Sequence, residues 1–338
     1  MNTAASAEED FLFRSGLARA GESPRWHRLV GGVSSDIWRV ELPGRDLCIK
    51  RALPTLKVAD EWHAPVDRND YEWGWLNFAH RHCPGTVPRP LAHDSSAGLF
   101  AMAYLDPGTH PVWKQRLLQG SVDLEAARQV GGTLARLHNA SAGRADVAKA
   151  FETDGNFHAL RLEPYLLATA RRHPGLAGRL RELADRTAGC RSALVHGDVS
   201  PKNILLGPQG PVFLDAECAW YGDPAFDLAF CLNHFLLKAL LLPEHARALS
   251  ACFAAFADAY LGDTRAEPPA AIERRAAELL PALLLARVDG KSPVEYLADH
   301  DRARVRIREV SGNLLVRASA DPRAVARALL DGWPQAAS

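Results

Sequence analysis

An α+β fold in two unequal lobes, a small antiparallel sheet carrying one helix followed by a larger and mainly helical body, is predicted by three observations. The chain has 338 residues, more than one hydrophobic core usually serves, so two bodies around a cleft are expected. Near residue 110 the apolar pattern changes from short β-like runs to long stripes with helical spacing. The break Asp106-Pro107-Gly108 stands at that change and reads as a hinge. The boundaries that follow are an N-terminal segment 1–24, a first lobe 25–105 and a helical lobe 106–338.

Taken in order, Arg28 to Val30, Asp36 to Leu42 and Leu47 to Leu53 read as strands, the last two joined by a turn at Pro43-Gly44-Arg45-Asp46. Asp70 to His82 reads as one helix, with Tyr71, Trp75, Leu76 and Phe78 at helical spacing and Pro84-Gly85 ending it. Val87 to Ala92 and Gly98 to Leu105 supply further strands. Beyond the hinge, Asp123 to Asn139 sets Leu124, Ala127, Val130, Leu134 and Leu137 along one face of a helix. The segments 175–188, 227–242, 268–288 and 322–330 have similar spacing. Within this helical body, Ile204 to Leu206 and Val212 to Leu214 flank Gly207-Pro208-Gln209-Gly210 and read as a short hairpin.

Composition removes several classes of function. Forty basic residues balance forty acidic ones, so no broad field invites nucleic acid or an anionic membrane, and any anion site is local. Six dispersed cysteines show no metal or disulfide spacing and fit free thiols in a reducing cytoplasm. The first ten residues have no signal-peptide pattern. The most apolar stretch, Phe226 to Pro243, is interrupted by Asp227, His234 and Lys238 and reads as a buried helix. The expected partner is a small molecule, with neither nucleic acid nor membrane, in a monomer or homodimer.

The chemistry gathers at the hairpin. His196-Gly197-Asp198-Val199-Ser200-Pro201-Lys202-Asn203 precedes it, and Asp215 ends the apolar Val212-Phe213-Leu214 run. Phosphoryl transfer needs a carboxylate to orient the attacking hydroxyl and oxygen ligands to hold magnesium against phosphates. Asp198, Asn203 and Asp215 are those residue types. One H-G-D triplet alone is an ordinary surface turn; the ordered set is not.

This arrangement resembles the aminoglycoside phosphotransferase and choline kinase superfamily, small-molecule kinases related to the protein kinases, whose catalytic loop reads H-G-D-x-x-x-x-N. The resemblance implies a protein-kinase-like two-lobe fold, with Asp198 as catalytic base and Asn203 and Asp215 as magnesium ligands. Leu214-Asp215-Ala216-Glu217 then stands for the D-F-G segment, with Glu217 assisting metal or substrate. Tyr221-Gly222-Asp223-Pro224-Ala225-Phe226-Asp227-Leu228-Ala229 matches a G-D-P-x-x-D-L-A signature, so that Asp227 braces the catalytic loop behind His196. In the first lobe, Leu29 to Asp36 resembles the nucleotide-positioning loop through Gly32, Ser34 and Ser35. Lys50 takes the place of the lysine on the α/β-phosphates, Glu72 orients it, and the backbone at Ala103 and Leu105 reads the adenine edge. The implied cofactors are ATP and Mg2+, with GTP left open as the nucleotide. His138 in Leu134-Ala135-Arg136-Leu137-His138 matches a helix end where histidine is structural.

Only eleven residues separate Asp215 from Asp227, and no A-P-E element follows, so the peptide platform of a protein kinase is missing. A small hydroxylated acceptor is preferred: a sugar, an amino alcohol or an aminoglycoside-like molecule. Glu217, Arg287, Asp289, Lys291 and Glu295 are candidate pocket residues. The D-x-E-x-A-x-Y-G-x-x-x-F-D pattern from Asp215 also resembles methylthioribose kinases. A nucleotide-binding pseudokinase acting as sensor or scaffold is the alternative, against which the complete Lys50, Asp198, Asn203 and Asp215 set argues.

Overall fold

The computed structural model describes residues 6–29, 35–53, 67–317 and 319–334. Five strands form one antiparallel sheet in the order β1-β2-β3-β5-β4: β1 Arg25–Leu29, β2 Ser35–Leu42, β3 Arg45–Ala52, β4 Pro90–Asp94 and β5 Leu99–Ala103. The two-residue turn Pro43-Gly44 closes β2 onto β3, with Leu42 opposite Arg45, and Gly44 takes the positive φ (74°) that such a turn requires. The pleat then sorts β3 into two faces. Leu47 and Ile49 join Val40, Leu99 and Ala101 on one side, whereas Cys48 and Lys50 point to the other, toward helix α2 (Arg68–His82).

The outer face is covered by a helix that periodicity did not announce. Helix α1 (Ser6–Arg14) lies within the N-terminal segment 1–24 and packs Phe11 and Leu12 onto that face, with Ala18 after it. Each of the two large side chains contributes about 1.5–3 kcal/mol by burial. Nine residues carry too few turns for a periodic signal.

The second body contains α3 (Trp113–Leu118), α4 (Leu124–Ser141), α5 (Ala145–Ala150), α6 (Asp154–Phe157), a π-helical stretch His158–Leu167, α7 (Ala168–Arg172), α8 (Ala177–Gly189), α9 (Pro224–Leu241), α10 (Ala246–Asp263), α11 (Pro269–Asp289), α12 (Asp301–Arg317) and α13 (Pro322–Leu330). Asp123 caps α4, its Oδ1 accepting from the N–H groups of Glu125 and Ala126 at 2.8 and 3.3 Å. The apolar helix α9 is the axis of this lobe. It is long and apolar enough to cross a membrane, yet 94% of that stretch is buried inside the protein, against α10 and α11 among others. Two short ladders complete the fold: β6 (Ala193–Val195) with β9 (Trp220–Gly222), and the hairpin β7 (Ile204–Gly207) with β8 (Gly210–Phe213). The H-G-D segment runs from the first of these ladders to the second.

Candidate active site

The β6–β9 ladder pins the chain just before the H-G-D loop, and α9 fixes the loop from below. Asp223 caps α9 by accepting from the Ala225 N–H at 2.9 Å, and Pro224 supplies a preset first-turn φ. That register brings Asp227, fully buried, under the loop. Its carboxylate accepts from the backbone N–H groups of His196 (2.7 Å) and Gly197 (2.9 Å). His138 Nε2 lies 3.2 Å from the same carboxylate, and its Nδ1 lies 2.8 Å from the Tyr260 hydroxyl.

His196 is equally enclosed. Its ring meets Trp75 of α2 edge-on at 4.8 Å, Nδ1 accepts from the Asp198 N–H (3.1 Å), and Nε2 donates to the Leu214 carbonyl (3.0 Å). Those bonds require the neutral Nε2–H tautomer, and burial holds the imidazole below its usual value despite the carboxylates nearby. Gly197 has φ 76°, and a Cβ there would stand 2.6 Å from the Cys218 carbonyl oxygen. Gly197→Ala is therefore expected to cost about 1 kcal/mol or more, read as a lowered thermal midpoint together with reduced turnover.

Asp198 carries two cations on one oxygen: Arg161 Nη2 at 2.9 Å and Lys202 Nζ at 3.1 Å, both from Oδ2. Burial opposes its ionisation, but Lys202 and Arg161 outweigh that and hold the carboxyl well below the ordinary range. Neither partner was assigned a role from sequence. Lys202 had a signal, four residues beyond Asp198. Arg161 had none: it projects from the π-helical stretch interrupted by Pro164, and it also donates through Nε to the Gly197 carbonyl and through Nη1 to that of Leu160 (2.7 Å). Asn203 Nδ2 donates to the Asp198 carbonyl at 3.2 Å.

Asp215 stands beside Asn203 because the Leu214 N–H donates to the Asn203 carbonyl at 2.9 Å, joining the two ends of the hairpin. Its φ of 67° makes it the single non-glycine residue in the left-handed region among the described residues, a local cost of the kind retained at functional positions. Lys50 Nζ bridges Asp215 Oδ1 (2.5 Å) and Glu72 (2.6 and 2.8 Å), so β3, α2 and the hairpin converge on one ammonium. Burial works against the Lys50 charge, yet Asp215, Glu72 and Glu217 push its pKa up. Burial raises Glu72 to about 7 against the pull of Lys50. An amide oxygen and a carboxylate at Asn203 and Asp215 are the hard oxygen donors that suit a small divalent cation also held by phosphates.

The remaining candidates separate. Glu217 Oε2 is 3.1 Å from Arg68 Nε, and Arg68 Nη2 reaches the Leu53 carbonyl at 2.6 Å, so this carboxylate ties α2 to the segment after Asp215. Arg287 Nη1 bonds the Tyr165 hydroxyl (3.0 Å) and Ser292, whereas Lys291 is exposed and pairs with Glu163 at 3.1 Å. Asp289 is occupied by His173 and Arg308, both at 2.8 Å, and Glu295 pairs with Lys114. The Ala103 N–H donates to the Arg89 carbonyl at 2.9 Å, so of its two backbone groups only the carbonyl is left for an adenine edge. Leu105 follows β5. Ser35 opens β2 and is buried; Gly32 and Ser34 lie outside the described residues.

The sequence matches the phosphotransferase enzyme family across residues 25–266. Methylthioribose kinase of Yersinia pseudotuberculosis serotype O:3 (strain YPIII) is 28% identical over 221 residues, 58% of this chain and 54% of that one. The chain thus spans about half the length of the curated relatives it matches. Among solved structures, an amicoumacin kinase in complex with AMP-PNP, Ca2+ and Ami aligns with a TM-score of 0.56 at 14% identity, covering 93% of this chain and 95% of that one. A choline/ethanolamine kinase family protein from Mesorhizobium loti aligns at 0.51 and 15%, covering 96% and 99%. These likenesses establish a protein-kinase-like fold, and the match from the first strand of the sheet through the end of α10 makes the chain a member of the phosphotransferase enzyme family.

Proposed function

We propose that this protein transfers the γ-phosphoryl group of ATP, with Mg2+, to a hydroxyl of a small molecule. The observation that carries the reading is the convergence of Lys50, Glu72 and Asp215 in direct ion pairs beside Asn203 and the Asp198 loop. Lys50, held charged by two carboxylates, is suited to the α/β-phosphates, with Glu72 setting its direction. Asn203 and Asp215 would hold the cation, which supplies charge neutralisation at the transferring phosphoryl group. Asp198 is too acidic a carboxyl to be a strong proton sink. With Arg161 and Lys202 fixed on Oδ2, its role is to orient the acceptor hydroxyl, which suffices for a loose transition state.

The short passage from Asp215 to Asp227 supports a small acceptor. Its end is taken up by pairing of Trp220 with Val195 and Tyr221 with Leu194, which leaves no platform for a peptide there. The sugar acceptor named for the methylthioribose kinases makes a sugar-like hydroxyl the first class to try. Six free thiols support a reducing, cytoplasmic setting.

The test is Mg2+-dependent ADP release by the purified chain across sugars, amino alcohols and hydroxy acids, run beside thermal shift with MgATP. Turnover supports the proposal. Stabilisation by MgATP with no acceptor-dependent turnover supports a nucleotide sensor instead. Lys50→Met is expected to lower kcat/KM for ATP by about 100-fold or more, measured at saturating acceptor; a change under about threefold removes Lys50 from the phosphate site.

A further inference from the structure

Beyond Asp198 the helical lobe holds a row of buried polar groups that phosphoryl transfer does not use. Lys238 of α9 is 1% exposed; its Nζ is 3.5 Å from the carbonyl of His234, one turn back, and 5.0 Å from the ring centre of Tyr296. Among the described residues, both ring nitrogens of buried His234, the Tyr296 hydroxyl and Arg287 Nε have no hydrogen-bond partner. Lys114 approaches the same Tyr296 ring at 5.8 Å, and Arg287 lies 5.6 Å from the Tyr165 ring. Arg161, the residue on Asp198, lies 5.8 Å from the other end of this row at Tyr165. Tyr165 thus stands between Arg161 and Arg287 and ties the Asp198 end to Arg287. Arg287 and Glu295 also wall a cavity of about 350 Å³.

Cations outnumber carboxylates along this row. Lys114, Lys238 and Arg287 face one carboxylate, Glu295, and Arg161 and Lys202 face another, Asp198. Burial and then Lys114 push Lys238 down to about 7. Buried donors without acceptors are costly, and several of them aligned beside an acceptor site are matched by an oxyanion, which accepts from all at once. A cationic acceptor would meet repulsion at the same place.

We infer that the acceptor carries an oxyanion, a carboxylate or a phosphate monoester, on the molecule whose hydroxyl is placed at Asp198, and that Arg287, Lys238, Tyr296 and His234 receive it. This rests on the phosphotransferase reading. In the step itself the acceptor oxygen forms its bond to the γ-phosphorus as the bond to the β-phosphate oxygen breaks. ADP leaves, and the hydroxyl proton is released to solvent while Asp198 holds the acceptor oxygen in line.

The test uses the full chain with MgATP and reads ADP release in separate arms: D-glycerate for the carboxylate, ribose 5-phosphate for the phosphate, ribose as neutral acceptor, and ethanolamine and kanamycin as cations. The expected result is turnover confined to the anionic arms, the productive arm telling carboxylate from phosphate. Arg287→Gln and Lys238→Met should each raise the acceptor KM about 10-fold or more, with KM for ATP held within about twofold. Arg287 is only half-buried, so its variant remains informative where Lys238→Met fails to fold, as thermal melts will show. Equal or better kcat/KM with a neutral or cationic acceptor, or an unchanged anionic KM in Arg287→Gln, overturns the inference and leaves the phosphotransferase reading standing. Absence of turnover in every arm overturns it as well, and failure of MgATP to stabilise the protein then removes the phosphotransferase reading with it.

Discussion

Asp198→Asn is expected to lower kcat about 1000-fold, near the middle of the range for a positioned acid–base or orienting group, while MgATP still raises the thermal midpoint. The asparagine amide fills the same space, but it loses the charge that Arg161 and Lys202 neutralise and keeps one acceptor oxygen where the carboxylate has two. Because Lys50, Asn203 and Asp215 hold the nucleotide side of the proposed site, KM for ATP should move little. The measurement is acceptor-dependent ADP release with thermal shift as the binding control. A variant retaining more than about a tenth of wild-type kcat would remove Asp198 from the reaction.

The second large effect is structural in origin. Asp227 accepts from two backbone N–H groups and contacts His138, all without access to water. Asp227→Ala strands those groups, at about 1–3 kcal/mol for each unsatisfied donor. A total near 3 kcal/mol lowers the thermal midpoint by roughly 4 °C, because the unfolding entropy grows with the 338 residues of the chain. Activity should fall with it, since the two amides belong to His196 and Gly197 and set the loop that carries Asp198. Asp227→Asn, which keeps one acceptor oxygen, should lie between. Calorimetric melting of the three proteins orders them; an Asp227→Ala midpoint within about 2 °C of wild type would mean that water replaces the carboxylate.

What sequence could announce follows from how local each signal is. Helix α4 was legible because Asp123 caps it and five apolar residues repeat on one face; the hairpin of β7 and β8 was legible because Gly207 and Gly210 bracket a two-residue turn. The H-G-D loop, Asn203 and Asp215 were legible because they lie within twenty residues of one another. Arg161 was not. It reaches Asp198 only through the wider winding of the π-helical stretch, a geometry that Pro164 and mixed polarity conceal from any periodic test. Helices α10 and α12 also escaped. α10 is apolar on several faces because α4, α9 and α11 all pack on it, and α12 is largely polar, so neither shows one clean face. The pairing of Glu217 with Arg68 lies across 149 residues of chain and has no local trace.

Two of the ion pairs described above join the sheet lobe to the segment after the hairpin: Lys50 with Asp215, and Arg68 with Glu217. On the proposed reading, Asp215 belongs to the cation and Lys50 to the phosphates, so the first of these pairs is a stand-in for nucleotide and metal together. Nucleotide arrival is then an exchange reaction, in which one internal contact is surrendered as two external ones form. The free energy available for binding is the difference between them rather than the full worth of the new contacts. The second pair, untouched by the exchange, acts as a tether that keeps the lobes in register while the first one opens.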